Sequence, residues 1–401
     1  MNWVTDFRRA DLVMLAWGGL IALSMMRVGS ALFFTPIYLF ALLALLSRDI
    51  RSALLALARR LPVVLVYFAC ATLSLLWASY PAMVGLALRA DILIPCLALI
   101  ASFYVLTRHA TSGRILFLLL GIWLGFLAGT AVSYLRFGPE WIDKTFDSVG
   151  YYSSYIFMLA GISLPFLQKS WRPVFYLLVA GLLFLTQQRV AWILFPVIGV
   201  ADLFLHGRQH LTRSKLLLAL IVLLGFSYGM LKMVQAGKAA DSFNPEVKAN
   251  SVIEHLAKNE RIGAWQNWIA RGMEAPLMGV GFGRDNVKQH YSKGLEWPDA
   301  NLHHGHNVLL NNFLQLGLVG MLIFMAANLQ FLHFLIQRRN DFARAGALIV
   351  LFFLLRNMFD DFSFKRLLVV YGLLLGSCLA LAIPKVTDTL DVFPLTEGPA
   401  K

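Results

Sequence analysis

Charge is what this sequence has least of. Only 14% of its 401 residues are Asp, Glu, Lys or Arg, well below the roughly 25% of a soluble domain. With 59% hydrophobic residues and a mean hydropathy of +0.68, that scarcity excludes an ordinary soluble enzyme. Cysteine is equally sparse. Cys70, Cys96 and Cys378 all lie in apolar runs without paired spacing, so neither a disulfide framework nor a thiolate–metal site is expected. A nucleotide motif is also missing: Gly279, Gly281 and Gly283 follow Pro276 with no strand-turn-helix unit around them, which predicts a turn.

What charge there is leans basic, with a formal net of +13, and its placement decides what that means. With an inside amino terminus, the inward loops collect Arg8, Arg9, Arg59, Arg60, Arg208, Arg213, Arg338 and Arg339 among others, against only Asp6, Asp11, Asp49 and Asp341. This asymmetry is the positive-inside rule, so the basic balance reports topology and anionic lipid rather than nucleic acid. Membrane lipids are the expected surroundings.

Apolar runs predict helices near 12–28, 31–47, 61–78, 84–106, 115–135, 152–167, 173–187, 190–205, 216–234, 306–336, 343–358 and 365–383, each read as a span of about 20 residues. The first run follows Arg8 and Arg9 but has no convincing cleavage site, and reads as a retained helix. The expected fold is an all-α polytopic membrane protein of about twelve transmembrane helices, with both termini on the cytoplasmic side. No broken pair of spans is seen, a feature that transporters often show.

Two outward loops interrupt the tight connections, 136–150 and the longer 238–305. A loop of that length is usually functional or disordered, and this one is rich in aromatics and balanced in charge, which predicts a folded cap. The division is therefore 1–237 for the first nine helices, 238–305 for the cap, 306–384 for the last three and 385–401 for a cytoplasmic tail. Within the cap, residues 252–273 carry an apolar stripe at helical spacing that includes Trp265 and Trp268. Indole rings at the bilayer surface and packing against the other helices explain the stripe equally well.

The candidate site residues are cationic or titratable groups at the outward ends of spans: Arg89, Arg189, Arg261 and His306. A guanidinium near hydrocarbon costs about 2.5–3.5 kcal/mol even on lenient scales, so such residues usually have partners or a task. Arginines converging on one face make an anion site, because the planar fork grips phosphate oxygens in two places at any physiological pH. His303, His304 and His306 with Asp299 make a weak zinc set, since adjacent histidines generally point apart and no Cys or helix-spaced Glu completes it. Neither a metal nor a cofactor is expected. Arg356, Asp360, Asp361, Lys365 and Arg366 read as a salt-bridged outward rim.

Several of these residues fall in an ordered set: Arg189-Val190-Ala191-Trp192-Ile193, Glu260-Arg261, Trp265, Pro276 to Gly283, His306-Asn307, and Gly317 and Gly320 at fixed distance. The set, over about 180–325, resembles the O-antigen ligase and O-antigen polymerase superfamily. Ile193 departs conservatively from a Leu. The resemblance implies a metal-independent glycosyltransferase of the GT-C-like kind, with its active site under a periplasmic helical cap in the inner membrane of a Gram-negative bacterium. It implies an undecaprenyl-diphosphate-linked glycan as donor and, for a ligase, a sugar hydroxyl of lipid A-core as acceptor.

Carried over, the family's conserved residues fall on Arg189, Arg261 and His306. The chemistry agrees. A leaving diphosphate needs its growing negative charge stabilised, which arginines supply where no carboxylate cluster offers a magnesium site. A histidine, with an ordinary pKa of about 6.5, suits removal of the acceptor's hydroxyl proton. Arg189 and Arg261 are expected on the diphosphate, Arg89 as a weaker third, His306 as general base, and His303, His304 and Asn307 as further sugar or phosphate contacts. Gly317 and Gly320 are expected to let helices approach closely.

An O-antigen polymerase or a protein O-oligosaccharyltransferase of the same superfamily is the alternative. A lipid-linked sugar transporter or flippase is the competitor from another class.

Overall fold

The computed structural model describes residues 9–27, 30–110, 114–186, 188–206, 260–291, 305–359 and 361–383, with isolated positions between 221 and 232. These residues are helical, joined by turns, and no strand occurs among them. In chain order the helices are α1 (Arg9–Ser24), α2 (Ser30–Leu46), α3 (Arg48–Arg60), α4 (Pro62–Leu73), α5 (Pro81–Ala87), α6 (Ile94–His109), α7 (Ile115–Phe137), α8 (Trp141–Phe146), α9 (Val149–Ser163), α10 (Arg172–Thr186), α11 (Arg189–His206), α12 (Glu260–Gly272), α13 (Arg284–Tyr291), α14 (Val308–Ile336), α15 (Asp341–Phe359) and α16 (Arg366–Ala382). A π-helical turn, Leu88–Leu93, joins α5 to α6.

The all-α reading stands, but the expectation of about twelve spans does not. Four stretches are long and apolar enough to cross a membrane among the described residues: Pro81–His109, Ile115–Phe146, Val308–Ile336 and Asp341–Phe359, or five if the bent pair α3 and α4 is one span. The twelve-helix, GT-C-like architecture falls with that count. Hydropathy registers apolar runs but not where helices stop. α1, α9, α10 and α16 have 16, 15, 15 and 17 residues, so at 1.5 Å per residue they reach about 23–26 Å of a core about 30 Å thick. α9 passes into a 3₁₀ turn at Leu164-Pro165, and α3 meets α4 at 87° beside Pro62, where a residue before proline leaves the helical region. The run 216–234 lies outside the described residues apart from isolated positions.

The long apolar helices are those of a multi-pass membrane protein. Large side chains such as Leu76, Leu86, Leu135 and Leu177 stay mostly exposed, a surface suited to lipid rather than water. The main core gathers α1, α2, α6, α7, α9, α15 and α16, and from Gly150 to Ser163 every residue of α9 is buried. Where α16 crosses α6, Gly372 and Gly376 stand so close to the Pro95 and Leu99 carbonyls that an added Cβ would lie 2.4 and 2.2 Å away.

Helix α14 holds the feature that orders the rest. At Gly317 the backbone turns to φ 66°, ψ −168°, a region essentially reserved for glycine. The helical bonds that would join Leu318 and Val319 to Leu314 and Gln315 are replaced by an inserted segment. Leu318 N donates to Pro276 O at 2.8 Å and Val319 N to Leu277 O at 3.3 Å, while Leu314 O and Gln315 O accept from Val280 N and Gly281 N at 3.2 and 2.8 Å. Irregular backbone at membrane depth survives only when its polar groups are satisfied in this way. Gly317 is thus a break point rather than a surface for helix approach, and the Pro276–Gly283 turn is the piece that fills it. This break and the α3–α4 bend are the interruptions that hydropathy did not show.

Candidate active site

The turn before α14 carries His306. Asn307 caps the helix: its side-chain oxygen accepts from Leu309 N and Leu310 N at 2.8 and 3.1 Å, as a capping Asn does. Its nitrogen donates to Met358 O at 2.8 Å, on the last turn of α15. Both ends of the Asn307 amide are therefore engaged in holding the turn. His306 is half-buried, with φ +46°, and a non-glycine residue there is uncommon enough to raise a functional hypothesis. One residue earlier, Gly305 N donates to Asn311 Oδ1 at 2.9 Å.

Asn311 leads to a buried hub. Its Nδ2 donates to Asp361 Oδ2, and the Asp361 carboxylate, 1% exposed, pairs with Arg284 Nη2 at 2.7 Å. Ser363 N and Oγ donate to the other carboxylate oxygen. Arg284 opens α13 and lies with its Cζ 4.1 Å from the Phe364 ring centre. Its Nη1 is buried with no hydrogen-bond partner among the described residues.

Two hollows meet at Arg284 and Asp91, which line both. The first is a cavity of about 210 Å³ between α4, α6, α14, α15 and α16. Its walls are apolar, including Phe324, Ala327, Phe331, Leu368 and Leu375, and its polar end is formed by Tyr67, Asn312, Gln315, Ser363 and Asp361. Tyr67 OH donates to Asn312 Oδ1 at 2.8 Å, and Gln315 Oε1 accepts from Gly283 N at 2.8 Å. The second hollow, about 530 Å³, is a cleft with Arg89, Lys288 and Lys365 beside Arg284, against Asp91 and Asp285. Asp91 is engaged by Lys365 N at 2.7 Å. Arg89 is exposed on the π-helical turn, a distortion often found at functional sites.

Helices α12 and α13, the described part of the 238–305 stretch, pack on this assembly. Trp268, 1% exposed, clusters with Val280, Val287, Tyr291 and Leu314, so it packs on other helices rather than lying at a bilayer surface. Tyr291 OH donates to Arg271 O at 3.0 Å, tying α13 to α12. Burial pushes the Tyr291 phenol up to about 12, with Glu274 adding to the shift and Arg271 opposing it.

The predicted residues are brought together unequally. Arg89 joins the basic cleft, and His306 is linked through Asn311 and Asp361 to Arg284. Arg189 and Arg261 lie on α11 and α12, but their side chains are outside the described residues, as are His303 and His304 altogether. The residue before Arg189 is described. Gln188 Oε1 accepts from Arg356 Nη2 at 2.9 Å and from Ser153 Oγ at 2.7 Å.

The expected rim is a correction: Arg356 and Asp361 are each 1% exposed, and Arg366 pairs with Asp147 at 3.3 Å. Arg356 on α15 holds the start of α11 while Met358 holds the start of α14, so one helical turn carries the neighbours of both Arg189 and His306. Sequence reasoning missed Arg284, Lys288 and the Asn311–Asp361 pair. Asn311, Asn312 and Gln315, polar residues one turn apart in an apolar span, were the available signal. Among the described residues no group of three or more His, Cys, Asp or Glu is placed to hold a metal ion.

This is a multi-pass helical membrane protein whose apolar cavity opens beside a basic cleft. The family model described as O-Antigen ligase matches residues 174–325, so over that segment the chain is similar to this family. An uncharacterized protein of Haemophilus influenzae is 25% identical over 190 residues, covering 44% of this chain and 47% of that protein. The match thus spans about half the length of that relative.

Proposed function

We propose that this chain is a glycosyltransferase that moves a glycan from undecaprenyl diphosphate to a sugar hydroxyl of lipid A-core, on the periplasmic face of a Gram-negative inner membrane. The observation that carries the reading is the meeting of an apolar cavity and a basic cleft at Arg284. A lipid diphosphate needs both, one for hydrocarbon and one for charge. The family match over 174–325 supports the same donor class.

In this reading Arg189 and Arg261 grip the diphosphate, with Arg89 a third group on the cleft side. His306 takes the proton from the acceptor hydroxyl as its oxygen attacks the anomeric carbon. The bond from that carbon to the diphosphate breaks, and undecaprenyl diphosphate leaves with its charge met by guanidinium groups. His303 and His304 flank the base as sugar or phosphate contacts, and Asn307 holds the turn. Of the stretch 238–305, helices α12 and α13 are the described part that covers this cleft in the proposed arrangement.

The broken helix α14 favours one other reading, a transporter, since transporters use broken-helix ends to bind cargo. Here the backbone groups freed at Gly317 bond to the 276–281 segment, which argues for a structural break.

The test is reconstitution with lipid-linked glycan and core lipid. Wild-type protein forms the glycosidic product; His306→Ala binds donor but transfers little; Arg189→Ala and Arg261→Ala bind donor weakly. Movement of lipid-linked sugar across liposomes without bond formation overturns the enzyme reading, and unchanged donor affinity overturns the clamp.

A further inference from the structure

The buried Asp361 carboxylate does more than neutralise Arg284. A carboxylate only accepts hydrogen bonds, whereas an Asn amide donates from one end and accepts at the other. With Asp361 on one side, Asn311 must turn its nitrogen toward the carboxylate and its oxygen toward Gly305 N. The residue after Gly305 is His306, at φ +46°. Asp361 therefore sets the direction of an amide whose far end pins the strained turn. Its other commitment is Arg284, which lines both hollows.

We propose that Asp361 is a positioning residue that holds the His306 turn through Asn311 and the Arg284 guanidinium directly, giving the base and the cavity mouth a common frame. This rests on the reading of His306 as the base.

The two arms have separate signatures. In Asp361→Asn, the new amide no longer dictates which way Asn311 faces, and Arg284 loses its counter-charge. Transfer by this variant has a lower kcat and a higher KM for donor. In the double variant Asn311→Asp with Asp361→Asn, the carboxylate at 311 accepts from Gly305 N and from the amide at 361. That restores the His306 arm without restoring the Arg284 pair, so kcat recovers while KM stays raised. Asn311→Leu keeps the Arg284–Asp361 ion pair and removes the hold on Gly305 together with the Asn311 bond to Asp361, so kcat falls with KM little changed. A displacement of about 1 Å at a catalytic group costs on the order of a hundredfold, and a loss of at least about tenfold is expected here.

The experiment is steady-state transfer by reconstituted full-length protein, with thermal midpoints measured alongside and His306→Ala as reference. A folded Asn311→Leu protein with kcat within about twofold of wild type overturns the proposal, the expected loss being on the order of tenfold or more. So does a stable double variant that recovers no kcat beyond Asp361→Asn. If His306→Ala itself transfers normally, the base reading fails and this inference with it. An inactive His306→Ala beside a normal Asn311→Leu overturns the positioning role alone.

Discussion

Arg356 Nη2 donates to Gln188 Oε1 at 2.9 Å, across 168 positions of chain. Arg356 also donates to Ser153 Oγ at 3.3 Å and lies over the Phe362 ring. A buried guanidinium in this place joins α9 and α15 to the Gln188 side chain, next to Arg189 at the start of α11.

Replacing it with an apolar side chain of similar length leaves the Gln188 and Ser153 groups short of a partner. Arg356→Met is expected to cost about 1–3 kcal/mol of stability and to weaken donor binding. Thermal unfolding in detergent and donor affinity measure the two effects. Unchanged affinity would separate Arg356 from the placement of Arg189.

Gly317 and Gly138 both have positive φ, but only one is enclosed. An added Cβ at Gly317 would lie 2.2 Å from the Leu277 carbonyl, whereas at Gly138 nothing among the described residues lies within 4 Å. Gly138→Ala is expected to cost about 1–3 kcal/mol of backbone strain and still fold. Gly317→Ala adds a clash with main chain and is expected to yield no folded protein. Size-exclusion profiles and protease resistance of the two variants check the contrast.

The apolar cavity calls for a chain-length test. Ala327 lines it and is itself buried, so Ala327→Phe fills space that donor hydrocarbon would occupy. KM for a long-chain donor is expected to rise about tenfold, equal to about 1.4 kcal/mol. A short-chain donor analogue is expected to be affected much less. Equal effects on both donors would place the hydrocarbon elsewhere.

The cleft calls for a charge test. Arg89→Glu and Lys288→Glu reverse charges on its wall and are expected to raise donor KM, each by about tenfold, with little change in thermal midpoint. Added salt is expected to narrow the gap to wild type, because charges at an open cleft are screened.

Tyr291 offers a pH test of the packing between α12 and α13. Its phenol is raised to about 12 by burial above all, while in the unfolded chain it ionises near about 10. The folded state therefore keeps the proton longer, and Tyr291 contributes less stability as pH rises from 10 toward 12. Tyr291→Phe loses the bond to Arg271 O, a cost of about 1 kcal/mol at pH 8, and this disadvantage is expected to shrink by pH 11. Chemical denaturation followed by tryptophan fluorescence measures it.

Helical composition and the position of apolar runs were legible because a window of Leu, Val and Phe registers directly. Helix length was not, because Leu164-Pro165, Leu61-Pro62 and Gly317 end or break helices inside runs that stay apolar throughout. The turn at His306-Asn307 was legible as a helix start, since Asn before an apolar run is a capping signal. In the sequence Arg356 and Asp361 look like surface charges, because a local cluster of both signs looks the same whether solvated or buried. Only the partners Gln188, Asn311 and Arg284, all 50 or more residues away, decide it. Arg284 follows a glycine-rich turn whose purpose becomes visible only when the broken helix it fills is in place.

That repair has a bearing on biogenesis. Pro276–Gly281 precedes α14 in the chain, so the ribosome delivers the patch before the gap it closes. A version of the protein lacking this short segment would leave α14 with two donors and two acceptors stranded in hydrocarbon. The Pro276–Gly281 segment and the span it repairs are therefore one folding unit, and neither is expected to be transplantable without the other.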